Sequence, residues 1–175
     1  MKSIDLIELG YLSTLEIIGE GSIDLLQGQI TSDMAKVTDS QNCLGALCNV
    51  KGRVESSFLI VKKPKFENAF LLIGNREVMK ITENILHKYS PFYKLEMRIN
   101  DDYRFIAIDE GCLSLNFPET DLKLKVQNHK DFLRVHYLAK RFHLLLLERG
   151  ADCFQKKDIS KAINEWEKDN IMNKD

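Results

Sequence analysis

Residues 25–53 read LLQGQITSDMAKVTDSQNCLGALCNVKGR, the densest run of glycine, amide and small polar residues in the chain, with apolar segments on both sides. Gly28 sits between Gln27 and Gln29 directly after an apolar turn. A glycine placed there permits a left-handed backbone or a close backbone approach. The side-chain oxygens of Thr31, Ser32 and Asp33 are suited to capping the turn that follows. Leu44–Cys48 reads as a short strand, Asn49–Gly52 as a turn, and Val54–Val61 as a second strand opened by Arg53. Two apolar runs joined by a glycine-containing turn predict a β-hairpin. Spacing alone also allows Gly28 and Gly52 as plain turn residues, and Lys51 and Arg53 as solvated charges.

Working back from this stretch, Thr14–Ile18 is a strand candidate closed by Gly19-Glu20-Gly21. Ser22 is placed to cap a short helix, Ile23 to Leu26, that delivers the chain into the Gln-Gly-Gln turn. Residues 34–42 are polar and loop-like, anchored by Val37. Working forward, Lys62-Lys63-Pro64-Lys65 is a basic turn, and Pro64 ends the strand before it. With Arg53 across the hairpin these charges suit a polyanion, but a solvated loop is the weightier reading. Ala69–Ile73 is the next strand, and Asn75 is positioned as N-cap of the clearest helix. Val78, Ile81, Ile85 and Leu86 recur along it at helical spacing, Glu77 and His87-Lys88 suit its dipole, and Pro91 follows its end. Leu95–Ile99 and Tyr103–Ile108 read as strands around an Asn-Asp-Asp turn. Strands, then an amphipathic helix, then strands indicate an α+β fold rather than a doubly wound parallel sheet.

Residues 111–131 give few signals. Phe132–Tyr137 and Phe142–Leu147 read as paired strands, and Ile159, Ala162, Ile163 and Trp166 as an amphipathic tail helix. His129, His136 and His143 recur every seven residues, which aligns them on a helix. On strands that period is not expected to gather metal ligands, and no metal site is expected. Cys43, Cys48, Cys112 and Cys153 form no Cys-x-x-Cys pair and read as small buried thiols.

The 175 residues suffice for one sizeable core or two small ones. With 25 basic and 26 acidic side chains the formal net charge is -1, so direct nucleic-acid binding is not expected. No apolar run reaches the ~20 residues of a membrane span. The acidic N-terminus MKSIDLIELG does not read as a signal peptide, so the expected location is cytoplasmic.

The pair LLQGQITSD and ALCNVKGR resembles the N-terminal signature of the YgfZ-type folate-binding proteins, relatives of the T-protein, the aminomethyltransferase of the glycine cleavage system. In that family a Leu-Gln-Gly-Gln-x-Thr-x-Asp segment precedes a Cys-x-x-Lys-Gly-Arg hairpin. Leu26, Gln27, Gly28, Gln29, Thr31, Asp33, Cys48, Lys51, Gly52 and Arg53 fall in place. A Gly-x-Gly element before the helix, and Trp166 followed by Asn170-Ile171, extend the likeness across the chain. It implies a T-protein-like α+β fold of intertwined subdomains with mostly antiparallel sheets. One subdomain takes residues 1–50 plus 104–175, and residues 51–103 form the inserted second. The family's C-terminal barrel domain, and the Lys-Gly-Cys motif before it, lie outside these 175 residues.

The resemblance further implies a tetrahydrofolate-binding accessory protein linked to iron–sulfur protein assembly or repair and to tRNA modification. Gln27, Gln29, Thr31, Lys51, Arg53 and Asn75 are the candidate folate residues, with Lys51 and Arg53 facing the glutamate carboxylates and Asn75 the pterin. T-proteins carry an acidic pair on the strand after the hairpin, and Ser56 and Ser57 stand there in this chain. A serine hydroxyl cannot act as an ionised carboxylate at neutral pH, so no aminomethyltransferase chemistry and no catalytic residue are expected. The alternatives are a half-protein acting through protein contacts, and a residual aminomethyltransferase using another carboxylate such as Glu55. The first predicts a protein partner or self-association through surface that the C-terminal half would otherwise cover.

Overall fold

The computed structural model describes residues 6–109, 126–128, 133–137 and 142–148. The hairpin forms as the sequence predicts. Strand β3 (Cys43–Cys48) pairs antiparallel with β4 (Val54–Lys62), with an irregularity at Leu47/Cys48. Asn49 organises the turn: its N–H donates to Arg53 O at 2.9 Å, and its Oδ1 accepts from the N–H groups of Lys51 at 3.0 Å and Arg53 at 3.1 Å. Gly52 closes the turn at φ 74°, a left-handed conformation that side chains with a Cβ adopt at a cost.

The hairpin is the outer part of an antiparallel sheet of order β3-β4-β5-β2-β6. Its other strands are β2 (Leu12–Ile18), β5 (Ala69–Asn75) and β6 (Glu96–Asn100). The expected boundary at residues 50 and 51 falls within the hairpin turn, between two strands that pair. Alternation along the strands sorts the side chains to two faces. One face carries Leu15, Ile17, Phe58, Ile60, Phe70 and Leu72, packed with Leu26 of helix α1 (Ser22–Gln29) and Met79 and Leu86 of helix α2 (Arg76–His87). Each such fully buried aliphatic or aromatic side chain contributes about 1.5–3 kcal/mol. The other face carries Leu59, Val61, Leu71 and Ile73 against Tyr103, Phe105 and Leu146 of a second sheet. That sheet has the order β1-β7-β10-β9-β8, with β1 (Leu6–Glu8), β7 (Tyr103–Asp109), β8 (Val126–Asn128), β9 (Leu133–Tyr137) and β10 (Phe142–Glu148). The result is an α+β fold of mostly antiparallel sheets, with no closed barrel among the described residues.

Several local expectations are corrected. Helix α1 runs through Gly28 to Gln29, so Gly28 is helical and its φ is not positive. A Cβ there would meet only the Tyr93 hydroxyl, at 3.9 Å. Ser22 does not cap α1: Gly21 is the N-cap, and Ser22 Oγ donates across to Asn68 O. The 34–42 loop contains a short 3-10 turn, Met34–Lys36, capped by Asp33 Oδ1 on Ala35 N–H, with buried Met34 joining Val37 as anchor. Ile81 fits the helical period but is exposed, because α2 presents Met79, Thr82 and Leu86 to the sheet. The expected strand pair near the C-terminus forms as β9 and β10, and its register sets His136 opposite His143 rather than apart. No group of three or more His, Cys, Asp or Glu suited to a metal ion occurs among the described residues. No described helix is long and apolar enough to cross a membrane. The tail helix, His129 and residues 111–125 lie outside the described residues.

Candidate functional site at the hairpin pole

The segment leaving α1 is stitched to the edge of the sheet. Ile30 forms a bridge with Leu47, Thr31 N–H donates to Ala46 O at 3.0 Å, and Thr31 Oγ1 accepts from Ala46 N–H at 3.1 Å. Ala46 in turn stands opposite Ser57 on β4. The Ser57 carbonyl lies 3.4 Å from where a Cβ on Gly74 would stand, and Asn75 follows Gly74 at the end of β5. Thr31, Ser57 and Asn75 therefore form a row across one end of the sheet, beside the turn that carries Lys51 and Arg53. Exposed Cys48 on β3 and exposed Val54 and Ser57 on β4 leave the turn end of the hairpin open, and exposed Leu44 extends this open face along β3, opposite buried Leu59.

The six residues singled out by sequence divide by what already holds them. Gln27 Oε1 accepts from Met34 N–H at 2.8 Å, which ties the 3-10 turn to α1. Asn75 Oδ1 accepts from Glu77 N–H at 2.9 Å and caps α2, as its sequence position predicts. Thr31 holds the edge of β3. These three have structural work, and each keeps one polar group over: an amide N–H₂ on Gln27 and on Asn75, a hydroxyl proton on Thr31. Gln29 is half-buried, and Lys51 and Arg53 are exposed on the turn. None of their side chains makes a hydrogen bond or ion pair to a described residue. Ser56, next to Ser57 in sequence, falls on the opposite, helix-side face with Leu47, Phe58 and Ile60; its hydroxyl is 3% exposed and has no hydrogen-bond partner among the described residues. No carboxylate stands on β4 in the two serine positions. Cys43 is half-buried at the start of β3, and burial pushes its thiol up, away from nucleophilic character.

Sequence reasoning missed a second polar cluster, at the other end of β2. Glu16 is 1% exposed, yet it is charged and fully partnered. Lys63 Nζ donates to its Oε1. Its Oε2 accepts from Arg98 Nε and Nη2, both at 3.1 Å, and from Asn100 Nδ2 at 3.2 Å. Burial by itself would push this carboxyl up; the hydrogen bonds from Lys63, Arg98 and Asn100 together outweigh it and hold the group below its usual range. An open groove of about 350 Å³ runs beside the cluster along β6, with Ile18, Leu95 and Met97 among its lining. The only sequence signal was a lone acid inside an apolar strand, Thr14-Leu-Glu-Ile-Ile18.

The fold is T-protein-like. The chain matches the crystal structure of glycine cleavage system aminomethyltransferase T from Bartonella henselae with a TM-score of 0.67, over 92% of this chain and 45% of that one, at 13% identity. In sequence it is similar to the tRNA-modifying protein YgfZ of Klebsiella pneumoniae, 33% identical over 92 residues that make up 53% of this chain and 27% of that protein. The YgfZ of Colwellia psychrerythraea is 32% identical over 103 residues, 59% of this chain and 31% of the relative. An uncharacterized protein of Haemophilus influenzae is 28% identical over 134 residues, 75% of this chain and 47% of that one. No protein-family model matches the chain. Sequence kinship and fold together support a YgfZ-type, T-protein-like protein. The matches span less than half the length of each relative.

Proposed function

We propose that the chain serves a YgfZ-like role in tRNA modification, binding tetrahydrofolate at the hairpin pole and supporting iron–sulfur proteins without transferring a one-carbon unit itself. The observation that carries this is the kinship to proteins named tRNA-modifying protein YgfZ, over more than half of this chain. The residues present fit such a ligand. An open sheet face with an exposed apolar side chain (Leu44) and an exposed hydroxyl (Ser57) suits a flat heterocycle with a few polar atoms. Lys51 and Arg53, unengaged by described residues, suit its glutamate carboxylates. Gln29, with the remaining groups of Gln27, Thr31 and Asn75, supplies amide and hydroxyl contacts.

Tetrahydrofolate supplies an acceptor nitrogen for one-carbon chemistry. The hydroxyls of Ser56 and Ser57 neither take up its proton nor balance positive charge on it at neutral pH, so the chain binds and orients without acid–base chemistry from these positions. A cytoplasmic location belongs to the same reading. The test is expression of this chain in a bacterium lacking its own YgfZ, with tRNA modification read by mass spectrometry. Restored modification, lost again in Lys51→Ala/Arg53→Ala, is the expected result. Unchanged, unmodified tRNA at normal protein levels contradicts the proposal.

A further inference from the structure

Among the described residues strand β6 ends its sheet, and its outward edge has an internal symmetry. Arg98 and Asn100 direct their backbone groups to β2, as the pairing Thr14↔Asn100, Glu16↔Arg98 requires. The alternate residues direct theirs outward: Ile99 N–H reaches Glu83 Oε1 of α2 at 3.2 Å, and Leu95 N–H reaches Tyr93 O at 3.1 Å. The side chains alternate as well. Leu95, Met97 and Ile99 pack partly against the helix-side core, while Glu96 and Arg98 are exposed on the opposite face.

The sequence Leu95-Glu96-Met97-Arg98-Ile99 is complementary to itself when run antiparallel about Met97. Met97 then meets its own copy, Leu95 meets Ile99, and Glu96 meets Arg98, twice over. Directly opposite residues share a face, so both apolar pairs extend the core side and both opposite-charge pairs fall on the exposed side. The phase also fits: Met97 directs its N–H and C=O outward, as a hydrogen-bonded pair on the two-fold axis requires.

We propose that β6 is a self-association edge, joining two copies of this chain through an antiparallel β6–β6 pairing centred on Met97, with Glu83 as its guard. The Glu83 carboxylate occupies the Ile99 N–H that would otherwise donate to the partner's Leu95 carbonyl. A carboxylate laid over an open strand edge is a device that restrains edge-to-edge pairing. A five-residue strand edge is a small interface, so the dimer is weak and reversible. This inference does not rest on the folate or tRNA reading.

Sedimentation equilibrium of the full chain, from low to high micromolar concentration, tests it. The wild type is expected to show a monomer–dimer equilibrium. Glu96→Lys, at an exposed side chain without a described partner, sets like charges opposite each other at two places and is expected to weaken the dimer about tenfold. Met97→Pro removes an outward donor without touching the β2 ladder and is expected to abolish dimerisation. Glu83→Ala is expected to tighten it, with exchange protection at the Met97 amide rising with protein concentration. A mass independent of concentration in both wild type and Glu83→Ala overturns the proposal. So does a dimer indifferent to Glu96→Lys and Met97→Pro.

Discussion

Glu16 shows how a single residue can be nearly invisible in sequence and central in structure. A carboxylate with 1% of its side chain exposed persists because both oxygens accept hydrogen bonds, Oε1 from Lys63 of the β4–β5 turn and Oε2 from Arg98 and Asn100 of β6. Removing one partner of a buried ionic cluster leaves the others unbalanced, and Arg98, whose side chain is largely exposed, reaches solvent enough to soften that loss. Glu16→Ala is expected to cost about 2–4 kcal/mol in denaturant unfolding. The folded carboxyl lies below its ordinary value of 4.5, so its stabilisation is fully present above that pH and fades as pH falls through the lower folded value. The wild type is therefore expected to lose stability as pH drops below 4.5, and Glu16→Gln to lose that part of the slope. Acid titration followed by circular dichroism checks both. At the pole the residues sort differently. Asn75→Ala removes the cap on α2 and is expected to cost about 1 kcal/mol. Lys51→Ala and Arg53→Ala, on an exposed turn, are expected to stay within about 0.5 kcal/mol of wild type in the same unfolding measurement.

The elements themselves were largely legible, for identifiable reasons. The hairpin announced itself through an Asn-x-x-Gly turn between two apolar runs, and Asn49 and Gly52 play the parts that composition assigns them. The α2 cap was legible because Asn75 sits just ahead of a helical period and carries the only nearby side chain able to take up an orphan N–H. The end of α1 was not legible: Gly28 and two amides read as a turn, but burial of Leu25 and Leu26 keeps the helix going to Gln29. The Gly19-x-Gly21 element had only a resemblance behind it, and packing now supplies the reason. A Cβ on Gly19 would strike Lys94 O and Leu95 Cα, and one on Gly21 would lie 2.8 Å from Tyr93 Cβ. Both glycines let the segment entering β6 lie directly against the β2–α1 junction. Gly21→Ala is expected to cost about 1–3 kcal/mol through that overlap and to loosen β6, with amide exchange accelerated from Glu96 to Asn100. Gly45 is a sharper case inside β3, where a Cβ would fall 2.7 Å from Ile60 Cδ1. Gly45→Val is expected to lower the unfolding midpoint by a similar amount.

Across the whole molecule, alternation in the strands made the α+β class readable, and antiparallel pairing made a hairpin-rich sheet the economical topology. The division of labour between the sheets was not readable from local pattern. β1 leaves the chain's first segment to pair with β7, roughly a hundred positions on, a long-range choice that no window of sequence encodes. The site was legible in part for the same reason. Lys51 and Arg53 belong to one turn, whereas the row from Thr31 through Ser57 to Asn75 exists only once three strands are in register. Titration calorimetry of the full chain with tetrahydrofolate, beside Lys51→Ala/Arg53→Ala, tests the central claim most directly. Saturable binding with one site per chain, weakened at least tenfold in the double variant while its unfolding midpoint is unchanged, is the predicted result. No saturable heat at high micromolar ligand, or binding indifferent to the two substitutions, would contradict it.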